Sequence, residues 1–206
     1  PPPLNSLVLG LSVGLIGTLA YALIAWVLVR TRVWGRELLS LLVWLPWAIP
    51  GLVLGITLLS ILLNVPIVST LHGTMFPLIF AMILKDMPMG VHMLRTSLYQ
   101  LSSDLEESAQ MSGAGFGVTF RRITLPLIAP MCAAVFLLGF IATLRDISTV
   151  VLLSSSGTRT LSLLMFEYAT ASRLESAAVI GVVIAVISLI ITSIAFKIGL
   201  KATIEH

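Results

Sequence analysis

Side chains that could do chemistry are sparse in this sequence. Lys85 and Asp86 stand together in an apolar run, Arg145 and Asp146 close another, and the histidines His72, His92 and His206 are scattered. A membrane enzyme, one of two rival classes, would need an acid–base, metal or nucleophile constellation, and no ligand spacing links the histidines. His92 reads as an interface or packing histidine. The single cysteine, Cys132, lies in an apolar run and leaves no internal disulfide to form. A Lys-Asp pair deep in apolar sequence is costly unless it faces protein or water. Lys85 and Asp86 are therefore expected either to line a polar path or partner interface, or to sit nearer the membrane surface. The same choice holds for Arg145 and Asp146: a path-facing pair or a surface ion pair.

The densest polar stretch runs from Ser102 to Pro126, SSDLEESAQMSGAGFGVTFRRITLP without its first leucine neighbour. Ser103 followed three residues later by Glu106 is a capping-box pattern, so a helix should start at Asp104. Asp104, Glu106 and Glu107 fall in its first turn, where negative charge suits the helix dipole. Ser112, Gly113, Ala114 and Gly115 limit it to about two turns, and Gly113 is the expected left-handed cap. A second short helix should run from Phe116 to Ile123, and Pro126 suits the first turn of a following membrane helix. The stretch is thus helix, glycine turn, helix, with small residues that let another protein approach the backbone.

The elements that must hold this stretch are membrane spans. The 206 residues are 58% hydrophobic and 10% charged, with a mean hydropathy of +1.09. That composition implies an all-α, polytopic membrane helix bundle. The expected spans are 7–29, 38–63, 74–94, 125–144 and 177–196. Gly10, Gly14 and Gly17 give the first a small-residue packing face. Pro46, Pro50 and Gly51 should kink the second, which also carries Trp44 and Trp47. The third is the weakest by apolar length. Between the fourth and fifth, residues 147–175 should lie outside or re-enter, with Leu161, Leu164, Met165 and Tyr168 on one helical face. Five spans with an outside N-terminus and a cytoplasmic C-terminus put Arg30, Arg32, Arg36, Arg95, Arg121, Arg122, Lys197 and Lys201 in the cytoplasm, as the positive-inside bias requires. The net charge of +3 and pI near 9.4 are read through this orientation, and nucleic acid is not an expected partner. The chain opens on Pro1-Pro2-Pro3 without an initiator Met, and reads as a piece of a longer chain.

Glu107, Ser108, Ala109, Gly113, Ile123, Leu125 and Pro126 also carry a resemblance. Their spacing is similar to the E-A-A-x3-G-x9-I-x-L-P loop of inner-membrane permease subunits of bacterial ABC importers, with Ser108 at the first Ala position as the departure. The resemblance implies a permease domain over about 5–200, one half of a dimeric or fused permease. It implies that the first loop helix is a coupling helix, with Glu107, Ser108, Ala109 and Gly113 meeting an ATP-binding cassette subunit. The chain has no G-x-x-x-x-G-K-[ST] loop, so ATP is assigned to that partner and no cofactor is expected here. The other implied partners are a second permease half, a periplasmic or extracellular substrate-binding protein, and the lipid of a bacterial inner membrane. Residues 144–178 resemble the corresponding part of ferric-iron permeases, more diffusely those for polyamine, thiamine, sulfate and phosphonate, and ferric iron is the expected cargo. An ion-gradient-driven transporter is the other rival class. It requires charged or unwound sites in paired halves, and only Lys85 and Asp86 could serve.

Overall fold

The computed structural model describes residues 1–102 and 104–204. Ser103 and His206 lie outside the described residues, and with them the proposed cap and one histidine. The described chain is helical, in agreement with the all-α expectation.

Helix α1 (Pro2–Arg30) is the first continuous span. Gly10 and Gly14 meet large partners on a later helix, α9, whereas Gly17, expected on the same face, lies against Tyr21 of its own helix. A Cβ on Gly10 would come within 2.8 Å of the Phe140 ring, and one on Gly14 within 2.6 Å of Phe136. The glycine spacing therefore marks a packing face, with two aromatic rings seated where Cβ atoms are missing.

The second apolar segment is broken rather than kinked. Helix α2 (Arg36–Trp44) passes into a 3₁₀ turn (Leu45–Ala48), and α3 (Gly51–Asn64) leaves at 107° to it. Ile49 precedes Pro50 and is extended at φ −105°, ψ 119°, the conformation a following proline enforces. The expected kink is thus a full turn of direction. A short helix, α4 (Pro66–Ser69), follows.

Helix α5 (Phe76–Gln100) is one continuous 25-residue span despite Pro88 inside it. The sequence made this the weakest span because its apolar run stops at Leu84. The helix continues because Val91, Leu94 and Leu98 beyond Pro88 are buried in the main core against Tyr21, Ala22 and Ala25 of α1. Tyr21 donates its hydroxyl hydrogen to the Ile83 carbonyl at 2.6 Å, in the turn Pro88 loosens.

The polar loop forms α6 (Asp104–Met111), α7 (Phe116–Thr119), a π turn (Phe120–Thr124) and the single turn α8 (Leu125–Leu127). The span proper, α9 (Ala129–Arg145), is bent 77° from the Phe116–Leu127 segment. Pro126 therefore starts a one-turn helix and Pro130 opens the span, a correction to the single expected start. Helices α10 (Val150–Leu153) and α11 (Leu161–Thr170) lead to the last span, α12 (Leu174–Ile204). Thr160 caps α11 by accepting from the Leu163 amide at 3.3 Å. Leu161, Ser162 and Leu163 are buried, so α11 packs on the bundle. Three continuous helices and two bent pairs can cross a membrane.

Candidate functional site

The loop at 104–126 is held from beneath by a side chain whose partners the sequence did not reveal. Glu106 is buried, 6% exposed, while Asp104, Leu105, Glu107 and Ser108 around it are exposed. Its carboxylate lies 3.2 Å from Arg30 Nε, at the end of α1, and accepts a hydrogen bond from Thr124 Oγ1 at 2.7 Å. Arg30 Nη2 also donates to the carbonyls of Leu98 and Leu101, at 3.1 and 2.7 Å. One charged pair thus joins the C-terminal ends of α1 and α5, the loop helix α6 and the π turn. Removing either member strands the other charge in a mostly desolvated place. The second half of the loop is fixed by rings: Phe116 lies edge-on to Trp26 at 4.4 Å, and Phe120 at 6.1 Å. The stretch joins α5 to α9 in sequence, and these contacts tie it to α1 as well.

Gly113 has φ +85°, the left-handed cap the spacing called for. The amide of Ala114 donates to the Ala109 carbonyl at 2.9 Å, which is the long bond of a Schellman motif. The opposite face of α6 is open. Glu107 and Ser108 are exposed and Ala109 half-buried, with Ser108 Oγ donating to the Asp104 carbonyl at 2.7 Å. Two large apolar side chains stand out beside them, Leu105 at 56% and Met111 at 90% exposure. Ile123 and Leu125 behave differently. Both are half-buried, and Leu125 packs against the main core with Phe120 and Cys132, while Pro126 is exposed. The seven residues therefore do not form one surface: the first four flank an open face, and Leu125 anchors the exit to α9.

The charged pairs are rearranged relative to their sequence neighbours. Lys85 pairs with Asp146, not with Asp86, and Arg145 is not the partner of Asp146. Adjacent residues on a helix point about 100° apart and cannot face each other, so Lys85 finds its partner across the bundle, in Asp146 just beyond the end of α9. Lys85 Nζ also reaches Ser148 Oγ at 3.3 Å, and Asp146 Oδ1 accepts from the Thr149 amide at 2.8 Å. Gly51, at the break of the second segment, lies against this cluster; a Cβ there would meet Ser148 Oγ at 2.7 Å. Asp86 instead turns into a cavity of about 260 Å³ between α1, α5 and α9. Its Oδ2 is buried there without a hydrogen-bond partner. Arg145 is exposed near Met165 and Gly181, away from that cavity. Trp44 stacks obliquely on His92 at 5.9 Å, so this histidine packs against an aromatic ring. Among the described residues, no group of three His, Cys, Asp or Glu side chains could hold a metal ion.

The sequence matches the family of binding-protein-dependent transport system inner membrane components over residues 14–200. The chain belongs to this family. Among relatives of this inner membrane component, a ferric-iron transport system permease of Haemophilus influenzae is 32% identical over 154 residues, 75% of this chain and 30% of that protein. A probable sulfate transport system permease of Chlorella vulgaris is 30% identical over 186 residues, 85% of this chain and 70% of that protein. The chain spans under a third of the first relative's length and most of the second's. The fold is shared with the MetNI methionine ABC transporter, at TM-score 0.75 and 16% identity over 96% of this chain and 92% of that one. It is also shared with a bacterial alginate ABC transporter, at TM-score 0.79 and 21% identity over 98% of this chain and 78% of that one.

Proposed function

We propose that this family member is the transmembrane permease half of an ATP-binding cassette importer. Its permease domain covers about residues 5–200, and an identical, related or fused second half completes the path. A separate ATP-binding subunit docks on α6, and a binding protein delivers cargo from outside. The observation that carries this reading is the two-faced loop helix. One face is locked to α1 and α5 through Glu106, and the other offers Glu107, Ser108 and the exposed apolar Leu105 and Met111. Large apolar side chains left exposed on a polar loop are available to a partner, and a locked loop transmits displacement. Closure of the ATP-binding subunits on ATP would push α6, and Arg30, Leu101 and Leu125 would carry the push to α1, α5 and α9. That is a two-state element biased by a partner.

Ferric iron is the proposed cargo, supported by the ferric permease relative and by the carboxylate in the cavity. Sulfate is the second reading, supported by the greater coverage of the sulfate permease relative. The docking reading is tested by a photo-crosslinking residue at Ser108 in native membranes. Capture of an ATP-binding cassette subunit is expected. An intact complex in which Ser108 captures none overturns it. Uptake of radiolabelled ferric iron against radiolabelled sulfate, in cells lacking and then regaining the gene, decides the cargo.

A further inference from the structure

The cavity at Asp86 has a composition that neither the loop nor the bundle packing explains. Tyr21, Trp47, Met89, Met93 and Gly139 line it with almost wholly apolar surface, and Asp86 is the carboxylate among them. Lys85 shares the wall, but its ammonium is engaged by Asp146 and Ser148. The Asp86 carboxylate is left with a buried oxygen that accepts no hydrogen bond. An ionisable side chain within a membrane span is expensive and is kept where it meets water, a partner or a passing charge. At about 260 Å³ the cavity far exceeds the roughly 10–15 Å³ that one water needs. Its rim is open on the side of Trp47 and Met89, which are 62% and 50% exposed.

We propose that this cavity is a transit site for a positively charged cargo, with Asp86 as the carboxylate that attracts it. This rests on the importer reading above and names the charge class that the path accepts. The surroundings suit passage rather than storage. Among the described residues no metal-ligand cluster exists, so a cation keeps its own ligands or water shell while one carboxylate offsets its charge. Favourable entry without a full coordination shell is what a conducting site requires, because the cargo must also leave. A bound anion would instead meet the Asp86 carboxylate in a largely apolar wall.

The test uses the complete transporter, with its ATP-binding subunit, second half and binding protein, in proteoliposomes loaded with ATP. Radiolabelled ferric iron is the probe. Asp86→Asn removes the charge, Asp86→Glu keeps it, and Met89→Arg adds a positive charge on the exposed rim, where substitution leaves the core untouched. Asp86→Asn and Met89→Arg should each lower iron uptake by about tenfold or more, with Asp86→Glu retaining most of it. ATP hydrolysis stimulated by the binding protein should persist in all three. Should Asp86→Asn fail to assemble, Met89→Arg carries the same test. Iron uptake by the wild type, undiminished in both charge-altering variants, overturns the transit site and leaves the importer reading standing. Sulfate uptake without iron uptake by the wild type overturns the ferric reading and the cation site together.

Discussion

Two residues of the loop do separable things, and substitution can tell them apart. Gly113 at φ +85° has open space where a Cβ would go, so a side chain there is opposed by backbone conformation alone, at about 1–3 kcal/mol. Gly113→Val should leave the protein in the membrane but shift the loop. Uptake should fall while ATP hydrolysis continues, and Gly113→Asn, which tolerates the left-handed region, should be milder. Normal uptake by Gly113→Val would refute the coupling role of this turn. Glu106 is different because its partner is a charge. Glu106→Leu or Arg30→Met alone should cost about 3–5 kcal/mol, since each leaves the other ion buried and unpaired, whereas the double variant should lose less than the sum. Thermal unfolding of the detergent-solubilised complex measures all three, and strict additivity would mean that the two side chains do not interact. The glycine was legible in the sequence because only a few residues adopt positive φ. The role of Glu106 was not. Glu106 and Glu107 look alike as neighbours, and only the placement of α6 over Arg30 decides which one turns inward. The same blindness made Lys85 and Asp86 look like a pair.

At the scale of elements, the helices obey their sequence signals where the signal is steric. Gly10 and Gly14 announced a close contact, and Phe140 and Phe136 fill it. Gly90 makes a third such contact. A Cβ on it would run into the Tyr21 ring, whose hydroxyl is hydrogen-bonded to Ile83. Gly90→Ala must therefore displace Tyr21 and break that bond, an overpacking cost of about 1–3 kcal/mol. It should lower the midpoint of thermal unfolding of the assembled complex, and Tyr21→Phe, which frees the ring but loses the bond, should lower it less. An unchanged midpoint in Gly90→Ala would mean that α1 and α5 can slide apart without loss. The bend at Pro50 was legible in position but not in size, and the one before α9 was not expected at all. Pro50 and Pro130 mark where the helices must stop, because each lacks an amide donor and constrains the residue before it. The angles of 107° and 77° depend on distant contacts, such as Gly51 against Ser148, that no local pattern encodes.

For the whole molecule, the two ends of the bundle are defined by contacts independent of the charge pattern. At one end Arg30 meets Glu106 and the carbonyls of Leu98 and Leu101, so the first arginine-rich turn and the loop at 104–126 share a side. At the other, Asn5 Nδ2 donates to the carbonyls of Gly157 and Arg159, and Ser155 Oγ donates to that of Gly73. The N-terminal residues and the segments after α4 and α10 therefore share the opposite side. The first end gathers Arg30, Arg32, Arg36, Arg121 and Arg122, and on the positive-inside bias we propose that it faces the cytoplasm. Two well-exposed side chains report on the two ends: Trp34 is 102% exposed beside the arginines, and Ile67 is 87% exposed at the other end. With Cys132 replaced by Ala, single cysteines at these positions give a direct reading. A membrane-impermeant thiol reagent added outside intact spheroplasts should label Ile67→Cys and spare Trp34→Cys. After permeabilisation Trp34→Cys should be labelled as well. The reverse pattern would put the α6 face outside, beyond the reach of any ATP-binding subunit, and the importer reading would fall with it. Labelling of both positions in intact spheroplasts would deny that the bundle crosses the membrane between them.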